Sequence, residues 1–111
     1  EYWISGAFST ETAGKVLEGM KKVVNDSHGT GYAAHREDIV LAGKTGTAEI
    51  KASKEDTSGT ELGWFAVFTA EETMDRPILM ISMVEDVKER GGSGYVVRKD
   101  SLVLDEWFNR K

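Results

Sequence analysis

The chain has 111 residues, a formal net charge of −5 with histidine neutral, 40% hydrophobic and 30% charged residues, and no cysteine. That is one domain's length and an ordinary globular balance, so a disordered chain is excluded. The acidic balance argues against nucleic acid as a partner, disulfides and thiolate metal sites are ruled out, and no apolar run approaches the roughly 18 residues of a membrane span.

In chain order, the opening Glu1-Tyr2-Trp3-Ile4 reads as an entry into the middle of a protein rather than as a signal peptide. Residues 9–26 are expected to be a helix. Ser9 or Thr10 can cap it, and Ala13, Val16, Leu17, Met20, Val23 and Val24 recur at three- and four-residue steps. Residues 25–31 are a polar break, in which Gly29-Thr30-Gly31 is either a plain turn or a segment that shapes a neighbouring cleft. Residues 32–38 show no period. Residues 39–52 look extended, with a strand expected at about 44–52: Thr45, Thr47, Glu49 and Lys51 alternate with Gly46, Ala48, Ile50 and Ala52. A helix from Thr47 onward is also compatible with its Ala, Glu and Lys content. Lys54 to Thr60 is a polar turn region. GWFAVFT (63–69) and ILMISMV (78–84) read as strands buried on both faces. The segment between them is shorter than the dozen or so residues of a parallel crossover, so the two should form an antiparallel hairpin. After GGSG (91–94), Val96, Val97, Val103, Leu104, Trp107 and Phe108 fall on one face of a C-terminal helix.

The chemistry concentrates at LAGKTGTAEI, residues 41–50. Gly43-Lys44-Thr45 imitates the end of a nucleotide-binding P-loop. That motif needs a glycine five positions before Gly43, where Asp38 stands, and an acid there repels phosphate. It also needs a helix to follow and a parallel sheet around it. Lys44-Thr45-Gly46 is equally the tripeptide that serine acyl-enzymes place beside their nucleophile, or an ordinary surface lysine in a glycine turn.

The stretch KTGTAE (44–49), followed by GWFAVFT, then ILMISMVED, GGSG and an amphipathic helix, resembles the C-terminal part of a penicillin-binding protein transpeptidase domain. The resemblance spans nearly the whole chain, and its details are most similar to class B enzymes of Gram-positive bacteria and their low-affinity branch. It implies an α/β (α+β) part of a β-lactamase/transpeptidase-like fold: a three-stranded antiparallel sheet flanked by N- and C-terminal helices. The substrate implied is a peptidoglycan stem peptide ending in D-Ala-D-Ala, with β-lactam antibiotics as its mimics. Lys44 would supply charge for the terminal carboxylate, with Thr45 and Thr47 as hydroxyl donors. Charge-assisted bonds of this kind are worth about 1.5–3 kcal/mol each. Gly46 would let substrate lie close along the strand. The backbone amide of Thr47 would donate to the oxyanion and its carbonyl would accept from the substrate amide. Lys44 would also hold a neighbouring serine in its reactive protonation state. No cofactor is implied.

Two further motifs of that family are absent. None of the eight serines has lysine three positions on, and no Ser-x-Asn occurs. The chain therefore reads as 1–111 of a transpeptidase domain's C-terminal portion, without a nucleophile and inactive by itself. The N-terminal remainder of the domain would be its partner and would carry a membrane anchor, with the parent acting at the extracellular face of the cell membrane. Rival readings are a serine β-lactamase or β-lactam sensor of the same fold, and a non-catalytic binding module. Other features read blandly. Glu49 is a solvated strand charge or a groove rim, and His28 and His35 lie in loops without metal-ligand spacing. Trp64, Phe65 and Phe68 are core, Asp105 and Glu106 a solvated helix face, and Glu71-Glu72 a hairpin loop. An unpaired edge at 78–85 is expected to favour self-association.

Overall fold

The computed structural model describes residues 2–71 and 75–110. Helix α1 spans Thr10–Asn25. It starts at Ser9, whose side chain accepts from the Thr12 N–H, and ends where the Asp26 N–H donates to Lys22 O. A short 3-10 turn, Tyr32–Ala34, occupies part of the segment that showed no period. Strands β1 (Leu41–Ile50), β2 (Thr60–Thr69) and β3 (Leu79–Val84) follow, then helix α2 (Ser93–Asn109). The approach to α2 needs its glycines. Gly92 has φ 65° and ψ −148°, a conformation essentially reserved for glycine.

The strands form one antiparallel sheet in the order β1-β2-β3. Thr45 lies opposite Phe65, and Phe65 opposite Ser82. The expected 64–84 hairpin is antiparallel, and the stretch after Gly46 is strand as far as Ile50. β1 begins three residues before the expected start at Lys44, because Leu41, Ala42 and Gly43 already pair with Thr69, Phe68 and Val67.

The core lies on one face of this sheet. Phe65, Val67 and Leu41 meet Val96, Val97 and Leu104 of α2, Val87 from the turn after β3, and Val24 at the end of α1. The structure corrects the expectation that β2 and β3 are buried on both faces. Trp64, Ile81 and Leu79, on the opposite face, are 40%, 63% and 67% exposed, so Trp64 is not core, and Phe68 is half-buried. Composition made these strands look doubly covered, but among the described residues α2 covers only the Phe65 face, and α1 packs beside β1. Val16 lines one surface hollow with Ala13, Leu17 and Met20, so the α1 stripe is present, but Ala13 and Val16, like Val103 of α2, are exposed. Asp105 is no plain solvated acid: it pairs with Arg36, whose guanidinium also binds Asp38 and lies 5.1 Å from the Phe108 ring centroid. Glu71 anchors the start of β1 by accepting from the Val40 N–H at 2.7 Å, while Glu72 lies outside the described residues.

Candidate active site

Strand β1 is an edge, and its register determines what that edge presents. The Ala70 N–H donates to Val40 O at 2.9 Å. Along an antiparallel ladder the backbone groups of successive residues point alternately to the partner and away. The even-numbered residues of β1 therefore face β2, and Gly43, Thr45, Thr47 and Glu49 carry their N–H and C=O groups at the free edge. Two side-chain bonds agree with this parity. Asn25 Nδ2 donates to Leu41 O at 2.8 Å, and Lys44 Nζ donates to Thr45 O at 2.5 Å. From Gly46 onward the described residues offer that edge no partner strand.

Side chains alternate across the strand. Lys44 lies on the face of Ala66 and Ile81 and is exposed, and its stem folds over so that the ammonium reaches the edge at Thr45 O. Thr45 lies on the Phe65 face and is 8% exposed, and its hydroxyl is hydrogen-bonded to the Thr30 hydroxyl at 2.8 Å. Thr47 is exposed. The motif's lysine and threonine side chains thus leave the strand on opposite faces, and what brings them together is the edge between. Glu49 is exposed, 2.9 Å from Lys51, whose hydrogen bond and charge hold its carboxyl below the usual carboxylate range.

The two motif glycines answer to different neighbours. A Cβ at Gly43 would come within 2.7 Å of Ala66 O, so the sheet itself requires glycine there. At Gly46 the nearest atom to an added Cβ is Trp64 Cβ at 3.7 Å, an ordinary contact. The chain's own packing would accept a larger residue at Gly46.

Residues outside the motif support it. Asn25, the last residue of α1, donates to both Lys21 O and Leu41 O, and its Oδ1 lies 2.9 Å from His35 Nδ1. His35 stacks on Tyr32 and reaches Glu37, while His28 is exposed beside Asp26, so the two histidines serve separate local contacts. Ser53 and Lys54, the one adjacent serine–lysine pair, lie in an exposed turn. Sequence reasoning left Gly29-Thr30-Gly31 between a turn and a cleft-shaping segment and gave Asn25 no role. The hint was position alone, at the helix end just before the motif strand.

Known proteins resemble this chain in sequence and in fold. Penicillin-binding protein 3 of Bacillus subtilis is 41% identical over 99 residues, covering 89% of this chain and 14% of that protein. The peptidoglycan D,D-transpeptidase MrdA of Haemophilus influenzae is 34% identical over 100 residues, 84% of this chain and 15% of that protein. The chain thus spans about one-seventh of the length of these curated relatives. Among solved structures, the apo TP domain of penicillin-binding protein 3 from Burkholderia pseudomallei superposes with a TM-score of 0.57, at 20% identity, over 89% of this chain and 31% of that one; at that identity the likeness concerns the fold. Residues 2–100 match the family model of the penicillin binding protein transpeptidase domain, and the chain belongs to that family.

Proposed function

We propose that this chain forms one wall of the active site of a class B serine D,D-transpeptidase that crosslinks peptidoglycan stem peptides outside the cell membrane and is acylated by β-lactams. It acts as the C-terminal portion of the transpeptidase domain. The upstream remainder supplies the serine nucleophile, its lysine and the membrane anchor. The observation that carries this reading is the free edge of β1, where Lys44 Nζ and the outward backbone groups of Thr45 and Thr47 converge beside a glycine that the chain's own packing does not require.

The chemistry follows from that edge. An extended substrate lies against β1 as an added strand, which uses the unpaired backbone groups for affinity. Its terminal carboxylate meets the Lys44 charge and the exposed Thr47 hydroxyl. The Thr47 N–H, rigid in the ladder, donates to the oxygen on which charge develops, and its C=O accepts from the substrate amide. A fixed donor of this kind stabilises the transition state without reorganising. The Lys44 ammonium also stands ready to hold a neighbouring serine in its reactive protonation state. The Thr45 hydroxyl is buried and bonded to Thr30, so it supports the strand from beneath and leaves the carboxylate to Lys44 and Thr47.

The test is Lys44→Ala in the full-length protein. Acylation by benzylpenicillin should slow by about 10- to 100-fold or more, because one charge-assisted contact and its field are lost. Folding should change little, since the side chain is exposed. Stopped-flow acylation within twofold of wild type would remove Lys44 from the site.

A further inference from the structure

We propose that Thr30 is a positioning residue: its hydroxyl, bonded to that of Thr45, fixes the free edge of β1 at the point where acylation occurs. The proposal rests on the transpeptidase reading.

The Thr30–Thr45 bond joins residues 15 apart, at 2.8 Å. It is the hydrogen bond found for Thr45's buried hydroxyl, and an unmatched buried hydroxyl is costly. β1 lacks a second strand neighbour among the described residues, so its free side is held only by individual contacts. Asn25 holds the start of the strand at Leu41 O, and Thr30 holds the middle at Thr45. The described hydrogen bonds show no equivalent tether from the 26–31 loop to Thr47. Thr30 is therefore the last anchor of that loop before the proposed oxyanion donor.

Thr30 is itself held rigidly. The Gly31 N–H donates to Val23 O at 2.9 Å. A Cβ at Gly29 would come within 2.2 Å of Val23 O, and one at Gly31 within 3.1 Å of Val23 Cγ1 and 3.3 Å of Phe65 Cε1. The loop thus lies flat against the last turn of α1 and against the core ring opposite Thr45 in the β-ladder. Glycines on both sides allow that approach, and the threonine between them projects its hydroxyl onto the strand. Small displacements of reacting groups cost rate steeply, so an anchor one residue from Gly46 and two from Thr47 acts on the chemical step more than on binding.

The experiment measures acylation of the full-length protein by a fluorescent penicillin, separating the non-covalent constant from the acylation rate constant. Thr30→Val should lower the rate constant about 3- to 10-fold, the loss expected for one hydrogen bond, with the non-covalent constant nearly unchanged. Thr30→Ser, which keeps the hydroxyl, should stay within twofold of wild type. Thr45→Val should match Thr30→Val, and the double variant should be no slower than either, because both remove the same bond. Thr30→Ala carries the same expectations if Thr30→Val does not fold. Thr30→Val within twofold of wild type, Thr30→Ser as slow as Thr30→Val, or single effects that multiply in the double variant would overturn the proposal. Wild-type protein that is never acylated would remove the transpeptidase reading, and Thr30's role with it. Acylation that is normal in wild type and in Thr30→Val removes Thr30 alone.

Discussion

Asp100 should make this chain less stable as pH rises above the ordinary carboxylate range, and Asp100→Asn should abolish that loss. The residue sits on the face of α2 that also carries Val96, Val97 and Leu104, and it is only 5% exposed. Its Oδ2 has no hydrogen-bond partner among the described residues. Burial pushes its carboxyl above the usual 3.8, against a hydrogen bond from Ser82 that lowers it. A folded-state pKa above the unfolded one means that the folded chain binds more protons between the two values. Its stabilising contribution is complete below the unfolded pKa and is lost as pH rises through the folded one. At neutral pH the protein then carries a buried charge with one oxygen unmatched. An unmatched buried neutral group costs about 1–3 kcal/mol and a charged one more. The amide keeps an oxygen for Ser82 and trades the unmatched charge for an unmatched neutral donor. Asp100→Asn should therefore be more stable at pH 7 by about 1 kcal/mol, roughly fivefold in the unfolding constant. Urea unfolding followed by circular dichroism between pH 4 and 8 provides the assay. The quantity of interest is variant minus wild type, because Asp26, Asp38 and Glu49, with carboxyls held low by His28, Arg36 and Lys51, impose the opposite trend on both proteins. A difference that stays flat across this range, or an Asn variant less stable at pH 7, would refute the reasoning.

The chain by itself should form no covalent adduct with benzylpenicillin, since none of its eight serines has lysine three positions on; intact-mass spectrometry showing a stoichiometric increase mapped to one serine would overturn this. The chain should self-associate at high micromolar concentration through β3, whose Leu79 and Ile81 are exposed at an edge unpaired among the described residues, and Ile81→Lys should suppress it. Sedimentation showing a clean wild-type monomer, with the β3 amides protected from hydrogen exchange, would contradict that.

The sequence alone was enough for the elements and their order. α1 follows from its apolar period and its Ser9 cap, and the antiparallel hairpin from a connection too short to cross over. The α2 approach follows from paired glycines, and the family resemblance from Lys44-Thr45-Gly46-Thr47 followed by two apolar strands. These are local signals, carried by neighbours a few residues apart. Which face of each strand is covered could not be read in this way, because Trp64 and Phe65 are equally apolar and only the packing of α2 buries one and leaves the other open. The same holds for Asp100, whose burial depends on where α2 meets β3, and for Asp105, whose partner Arg36 lies 69 residues away. The site shows the division most sharply. Residue types named Lys44 and Thr47, but the parity of hydrogen bonding to β2 decides that Thr45 and Thr47 offer their backbone groups to the free edge. The folding-back of the 26–31 loop onto α1 decides that Thr30 meets Thr45. Those are relations between segments distant in the chain, and only the assembled sheet and helices create them.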